Sequence, residues 1–239
     1  MTGSGVLWGI KGKKTGFEET EAQGQFFRST IVDIATRLRV ARGIGKTETD
    51  ASIEAFETLQ QRGYPDVPPP LVSDGWGGIR EALVETYGKV PEYGGRGRPP
   101  TRKRPQPGWK YLQVIKQPRK TGGAPRLKVV FGDEETVLAE LAHHTAYVER
   151  THLTMRQFDS RITRKGLGFS KDLDMYTYAA ALEDVVYNLA RPLKSLRVRI
   201  NDDSPRRWEP RTPAMAAGLT DHVWTIKEML KIRIVFTNS

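Results

Sequence analysis

Residues 91–108, PEYGGRGRPPTRKRPQPG, hold five Pro, four Gly and five Arg or Lys against a single acid. Such a stretch has almost nothing apolar to bury, and its prolines cannot donate to a helix or a sheet ladder, so it predicts an extended loop. It also constrains everything else, because any core must be assembled from the segments on either side of it.

Upstream the pattern is mixed. VLWGIKGKK (6–14) reads as a short strand running into a basic turn. QFFRSTIVD (25–33) and RLRVARGIG (37–45) are rich in aromatic and β-branched residues, with Asp33-Ile34-Ala35-Thr36 as the hairpin turn between them. TETDASIEAFETLQQRG (47–63) has helical spacing, with Ile53, Phe56, Leu59 and Gln60 on one face and Gly63 as its stop. The PDVPPP segment is a rigid connector. A strand, LVS, then ends in Asp74, and GIREALVETYG follows as a helix with Ile79, Leu83 and Tyr87 at helical spacing.

Downstream, WKYLQVIK and PRLKVVFG alternate like two strands, and a helical half follows. It comprises DEETVLAELA, TAYVERTHLTMRQFDSRITRKG and SKDLDMYTYAAALEDVVYNLARPLKSL, the last with Ser170 as N-cap and Asp172 in its first turn. There is no internal repeat. Antiparallel strands followed by alternating α and β units predict an α/β domain, a mixed sheet with helices on both faces. That domain is expected over residues 1–200, with the basic loop at 91–120 inside it and a polar C-terminal tail over 201–239.

Composition narrows the function. The 239 residues contain 38 Lys and Arg against 28 Asp and Glu, a formal net charge of +10, which favours a polyanionic partner with nucleic acid first. There is no cysteine, which removes disulfides, cysteine zinc sites and thiol catalysis. No apolar run approaches the roughly 18 residues needed to span a bilayer. The N-terminus lacks an apolar signal core, so the expectation is a cytoplasmic protein without membrane contact.

Several patterns invite chemistry. VARGIGKT (40–47) approaches a phosphate-binding loop, but Val40 stands where that motif needs glycine, and a strand-to-helix turn accounts for it. His143, His144 and His152 lack the spacing of a metal pair and read as surface or capping residues. Residues 96–120 carry nine Lys or Arg and no acid, with Tyr93, Trp109 and Tyr111 nearby. Cations neutralise phosphates and aromatic faces stack on exposed bases, so this loop is the candidate nucleic-acid surface. Asp74 closes a strand and so stands at a sheet's carboxyl edge, a usual place for α/β active sites. On composition alone an acid there is more often the cap of the next helix. Glu149 lies on a helical stretch where His152, Leu153 and Arg156 stack beneath it.

Longer blocks are more specific. SDGWGGIREALVETYG, GRGRPPTRKRPQPGWKYLQVIK, TAYVERTHLTMRQFDSR, LEDVVYNLARPLKSLR and RRWEPRTPAMAAGLTDHVWTIKEML resemble bacterial insertion-sequence transposases of the DDE type, collinearly from about residue 6 to about residue 230. The resemblance implies a ribonuclease-H-like fold, with a mixed five-stranded sheet flanked by helices. It implies three acids holding two Mg2+ ions that activate water or a DNA 3′-hydroxyl for attack on a phosphodiester. By that resemblance Asp74 is the second acid and Glu149 the third, both catalytic and both metal ligands. DNA would be held by Arg96, Arg98, Arg102, Lys103, Arg104, Lys110, Arg150 and Arg156, and the protein would act as a homo-oligomer on transposon ends and target. The first acid is missing: aligning on Trp8 puts Gly5 and Val6 where the family has acids. Asp33 is the next acid along, but it sits in the hairpin turn. The expectation is an N-terminally truncated copy with impaired strand transfer, or alternatively a non-catalytic DNA-binding remnant that competes with intact transposase.

Overall fold

The computed structural model describes residues 26–95, 97–115, 117, 124–142, 154, 155, 157, 161, 172–200 and 207–231. The chain divides into two compact units. One runs to Ala179 apart from Thr36–Leu38, and the other takes Thr36–Leu38 with the chain from Ala180 onward.

The first unit opens with the expected hairpin, β1 (Phe27–Val32) antiparallel to β2 (Arg39–Gly45). Helix α1 (Glu48–Gln61) lies across it. Its start is fixed by a capping box: Thr47 Oγ1 accepts from the Asp50 amide at 3.1 Å, and Asp50 Oδ2 accepts from the Thr47 amide at 3.2 Å. Phe56 and Leu59 are buried as expected, but the buried face is rotated towards Ala51, Ser52 and Ala55, leaving Ile53 and Gln60 half-buried. Small residues win this face because the helix sits directly on β2. A Cβ built on Gly43 would come within 2.1 Å of the Ala51 carbonyl oxygen.

After the proline connector, β3 (Leu71–Asp74) leads into α2 (Gly78–Tyr87), and β3 pairs in parallel with β4 (Tyr111–Ile115). Strand β5 (Arg126–Phe131) returns antiparallel to β4, and α3 (Glu134–Leu141) follows. Both faces of this sheet are covered, which is why β3 and β4 read as continuous buried runs. On one face Leu71 and Tyr111 join Phe56, Leu59, Ile79, Leu83, Tyr87 and Trp109. On the other, Val72, Leu112 and Val114 pack with Val137 and Leu141 of α3. Edge-to-face rings continue the first cluster: Phe56 to Tyr87 at 6.2 Å, Tyr87 to Trp109 at 6.4 Å, and Trp109 to Phe131 at 5.5 Å between centroids.

The unit is thus mixed α/β with helices on both faces of a sheet. Among the described residues, however, its strands form a two-stranded and a three-stranded sheet, not one sheet of five. The strand expected at 6–14 lies outside the described residues.

The second unit takes in the residues expected as a C-terminal tail. Helix α4 (Leu173–Val185) crosses the division and widens into a π-helical turn at Val186–Ala190. Its first turn is capped by Asp172, whose Oδ1 accepts from the Met175 amide at 2.8 Å; Ser170, the expected cap, lies outside the described residues. A short ladder pairs β6 (Val198–Arg199) with β7 (Trp208–Glu209), and Arg197 stacks its guanidinium 4.2 Å from the Trp208 ring centroid. Helix α5 (Pro213–Ala216) starts at Thr212, which accepts from the Met215 amide, and it packs on the π-helical turn. The Trp224 amide donates to the Leu189 carbonyl at 3.0 Å, tying in the segment before α6 (Ile226–Lys231). No helix among the described residues is long and apolar enough to cross a membrane.

Candidate functional site

Asp74 is the last residue of β3, and the chain turns immediately through Gly75-Trp76-Gly77. The N-cap of α2 is Gly77, and no side chain caps that helix. Asp74 therefore does not cap α2. Its Oδ1 accepts from the Trp76 amide at 3.3 Å, a local bond that tightens the turn, and the residue is half-buried. The Trp76 indole folds over Gly78, where a Cβ would sit 2.1 Å from Cη2, so the sequence W-G-G lets the ring close the turn against the helix start.

The residues beneath this turn form a buried polar network. Ser73 pairs across the parallel ladder with Gln113, and Leu71 with Tyr111. Ser73 Oγ and Tyr111 Oη lie 2.7 Å apart, and Gln113 Nε2 donates to Tyr111 Oη at 3.0 Å. The same Gln113 amide reaches the Trp76 carbonyl at 3.1 Å, and Ser73 Oγ lies 2.8 Å from the Asp74 carbonyl oxygen. The backbone on both sides of Asp74 is thereby tied to β4. Burial pushes the Tyr111 hydroxyl up to about 12, against the bonds from Ser73 and Gln113 that favour its ionised form, and the Asp74 charge pushes it further up. Tyr111 is thus a neutral hydrogen-bonding post at physiological pH.

The basic loop is a long excursion between α2 and β4, clamped at its base. Lys89 and Arg104 exchange both backbone hydrogen bonds, at 3.1 and 2.9 Å. Lys103 binds Glu85 of α2 at 2.8 Å and also its backbone carbonyl, while Lys110 pairs with Glu140 of α3 at 2.6 Å. These two lysines, which the resemblance implies on DNA, also tie the loop to the domain. Arg98, Arg102 and Arg104 are exposed. Of the three aromatics expected to stack on bases, only Tyr93 is available, at 52% exposure. Trp109 and Tyr111 are core residues at 2% and 0%. Tyr111 lies in β4, which is covered on both faces, and Trp109 just ahead of it packs into the same cluster, whatever the neighbouring charge.

The other expected site residues, Glu149, Arg96, Arg150 and Arg156, lie outside the described residues, as do His143, His144 and His152. At the near phosphate-loop sequence, Thr47 and Asp50 of the capping box bond each other and Lys46 lies 4.5 Å from the Phe26 ring centroid, so the segment is the strand-to-helix turn expected of it. Asp74 supplies the hard oxygen donor that Mg2+ takes. Glu149, its expected partner, lies outside the described residues, and among the described residues no group of three or more His, Cys, Asp or Glu suited to a metal occurs. Sequence reasoning missed Ser73, Tyr111 and Gln113, whose only signal was polar residues inside otherwise apolar strands.

No family model matches the chain, and neither curated proteins nor solved structures give a match.

Proposed function

We propose that this chain is the core of a DDE-type transposase, a protein of DNA cleavage and strand transfer in which Asp74 and Glu149 hold Mg2+. The observation that carries the proposal is the placement of Asp74: it ends a parallel strand, caps no helix, and is braced from behind by β4. The exposed Arg98, Arg102 and Arg104 beside Tyr93 support DNA as the partner, with Arg96, Arg150 and Arg156 as further contacts. The resemblance of the sequence blocks supports the reaction class. A second reading, a DNA-binding remnant without catalysis, is favoured by Gly5 and Val6 at the place of the first acid.

One set of chains separates the two. Val6→Asp restores an acid to the first segment, and Mg2+-dependent nicking of supercoiled plasmid by that chain is the expected result. Adding Asp74→Asn or Glu149→Gln then lowers nicking roughly a hundredfold or more, the loss typical of removing one charge-stabilising group. Nicking indifferent to Asp74 rejects the assignment. Binding without nicking in every chain selects the remnant. In both readings, Arg98→Ala with Arg102→Ala weakens duplex binding and reduces the log–log salt slope by about 0.9 for each phosphate that the protein no longer neutralises.

A further inference from the structure

The segment between α5 and α6 carries an ion-pair cluster that the proposed DNA chemistry does not use. Asp221, His222 and Glu228 meet there, all within the second unit. His222 Nδ1 lies 2.6 Å from Asp221 Oδ1, and Nε2 lies 3.3 Å from Glu228 Oε1. The imidazole is parallel to the Trp224 indole, with 4° between the planes and 6.1 Å between centroids. Trp224 is itself anchored twice. Its indole N–H donates to Thr220 Oγ1 at 2.8 Å, and its amide donates to the Leu189 carbonyl at 3.0 Å. Glu228 has a second task as well: Oε2 accepts from the Thr225 amide at 2.7 Å and from the Thr225 hydroxyl at 2.8 Å, which caps the start of α6.

A carboxylate oxygen at each ring nitrogen is a restrictive arrangement. A neutral imidazole has a single N–H, so in either tautomer its other nitrogen would turn a lone pair towards a carboxylate. Only the imidazolium carries a donor on both sides. The charges that act on the ring are those of Asp221 and Glu228. The π-helical turn to which Trp224 is tied has Tyr187 as its one titratable group, and α5 beside that turn has none. Lys227 and Lys231, the other charges of α6, make no ion pair among the described residues.

We infer that His222 is a proton-operated clasp. Charged, it ties the segment that carries Trp224 to Glu228 and fixes the angle at which α6 leaves that segment. Neutral, it keeps its remaining proton on Nδ1, where Asp221 is nearer, and releases Glu228, which continues to cap its own helix through Oε2. The clasp works in a defined pH window. The bond to Asp221 first, and then, against desolvation, the Glu228 charge raise the His222 imidazolium above its ordinary value of about 6.5. The Asp221 carboxyl is lowered by its bond to His222, and the Glu228 carboxyl by the Thr225 amide. A base raised in the folded state contributes stability below its unfolded value and loses it as pH rises through the folded one. The two lowered acids contribute above their unfolded values and lose it as pH falls through the folded ones. The clasp is therefore closed between those two ranges and opens on either side. All three side chains are well exposed, so it is a light clasp and sensitive to salt. The inference is independent of the DNA reading and is tested without nucleic acid.

The experiment is a pH titration of the full chain by NMR, with the histidine rings labelled and the His222 signals assigned by their loss in His222→Gln. In wild type the ring should titrate with a midpoint above about 6.5. The cross-relaxation peak between the His222 ring and the Glu228 side chain should be present below that midpoint and lost above it. Glu228→Gln keeps an oxygen for Thr225 and so keeps the cap, and Asp221→Asn alters a side chain that is almost wholly exposed. Each should lower the midpoint and leave circular dichroism unchanged. Should either variant lose its circular dichroism signal, the wild type decides alone: added salt screens exposed charges, so its midpoint should fall. A midpoint at or below about 6.5, or one that neither the variants nor salt move, overturns the inference. So does a midpoint lowered by Asp221→Asn but not by Glu228→Gln, since the ring would then be held by its neighbour alone. A His222–Glu228 peak that persists through the titration also overturns it, because the contact would not depend on the proton.

Discussion

Asp74 and Asp133 stand in matching places in the sequence: each follows a strand and precedes a helix. Their environments are opposite. Asp133 is the N-cap of α3, accepting the Thr136 amide at 3.0 Å and the Thr136 hydroxyl at 2.8 Å through Oδ2. Asp74 does not cap α2, because Gly75, Trp76 and Gly77 delay the helix and Gly77 takes the N-cap position. The third residue beyond the acid decides the difference. At Asp133 it is a helical Thr whose two donors point back at the carboxylate; at Asp74 it is a glycine still in the turn. The cap is made by its own four-residue segment. The Asp74 turn is instead held by β4, a strand well over thirty residues away in sequence, through bonds that span |i−j| of 37 and 38.

The comparison predicts that the Asp74 turn is far more sensitive to its support than the Asp133 cap is. Tyr111→Ala removes a fully buried ring shared by the core and the network, and should cost about 3–5 kcal/mol in urea unfolding, as aromatic truncations do. Tyr111→Phe keeps the ring and deprives Ser73 and Gln113 of a partner, so about 1–3 kcal/mol is expected. If the Phe variant is as stable as wild type, the network does not brace the turn and the contrast with Asp133 fails.

Asp133→Ala comes next, with a smaller drop in Tm at neutral pH and a distinct pH signature. The Thr136 amide, and then its hydroxyl, hold the Asp133 carboxyl below its usual range. A carboxyl depressed in the folded state contributes stability above its unfolded value of about 3.9, and that contribution is lost as pH falls through the folded value. Wild type and Asp133→Ala should therefore differ in Tm at pH 7 and converge in acid. A difference that persists in acid would mean that the alanine acts on packing and not on the cap.

The same contrast explains what could be read in the sequence. The hairpin, α1, α2 and α3 are legible because their signals are local: β-branched runs around a turn, the Thr47–Asp50 box, and apolar spacing at Ile79, Leu83 and Tyr87. Asp74 is legible as a strand-ending acid. Its bracing is not, because which residues of β4 face Ser73 depends on the parallel register, and that is set by two cores on opposite sides of the sheet. Trp109 and Tyr111 sit in sequence beside the charged loop and share its reading, although the helices covering both faces of the sheet bury them in the core. The rotation of α1 is hidden for a related reason: three small residues outrank Ile53 only because Gly43 admits the helix backbone.

The smallest effect on stability, and the sharpest division between the two acids, is expected from Asp74→Asn. Asparagine keeps the oxygen that accepts from the Trp76 amide and fits the same turn, so the turn bond itself should survive the change. Charge is what the substitution removes. A residue kept for structure tolerates that loss, as a turn does, while a residue kept to hold a cation does not. Thermal melts with and without Mg2+ measure both at once on the Val6→Asp chain. Wild-type Asp74 in that background should gain Tm with added Mg2+, since an ion that binds only the folded state stabilises it by mass action, and Asp74→Asn should lose the gain while keeping its metal-free Tm. Equal gains in both chains would make Asp74 a turn residue after all and would close the gap between it and Asp133.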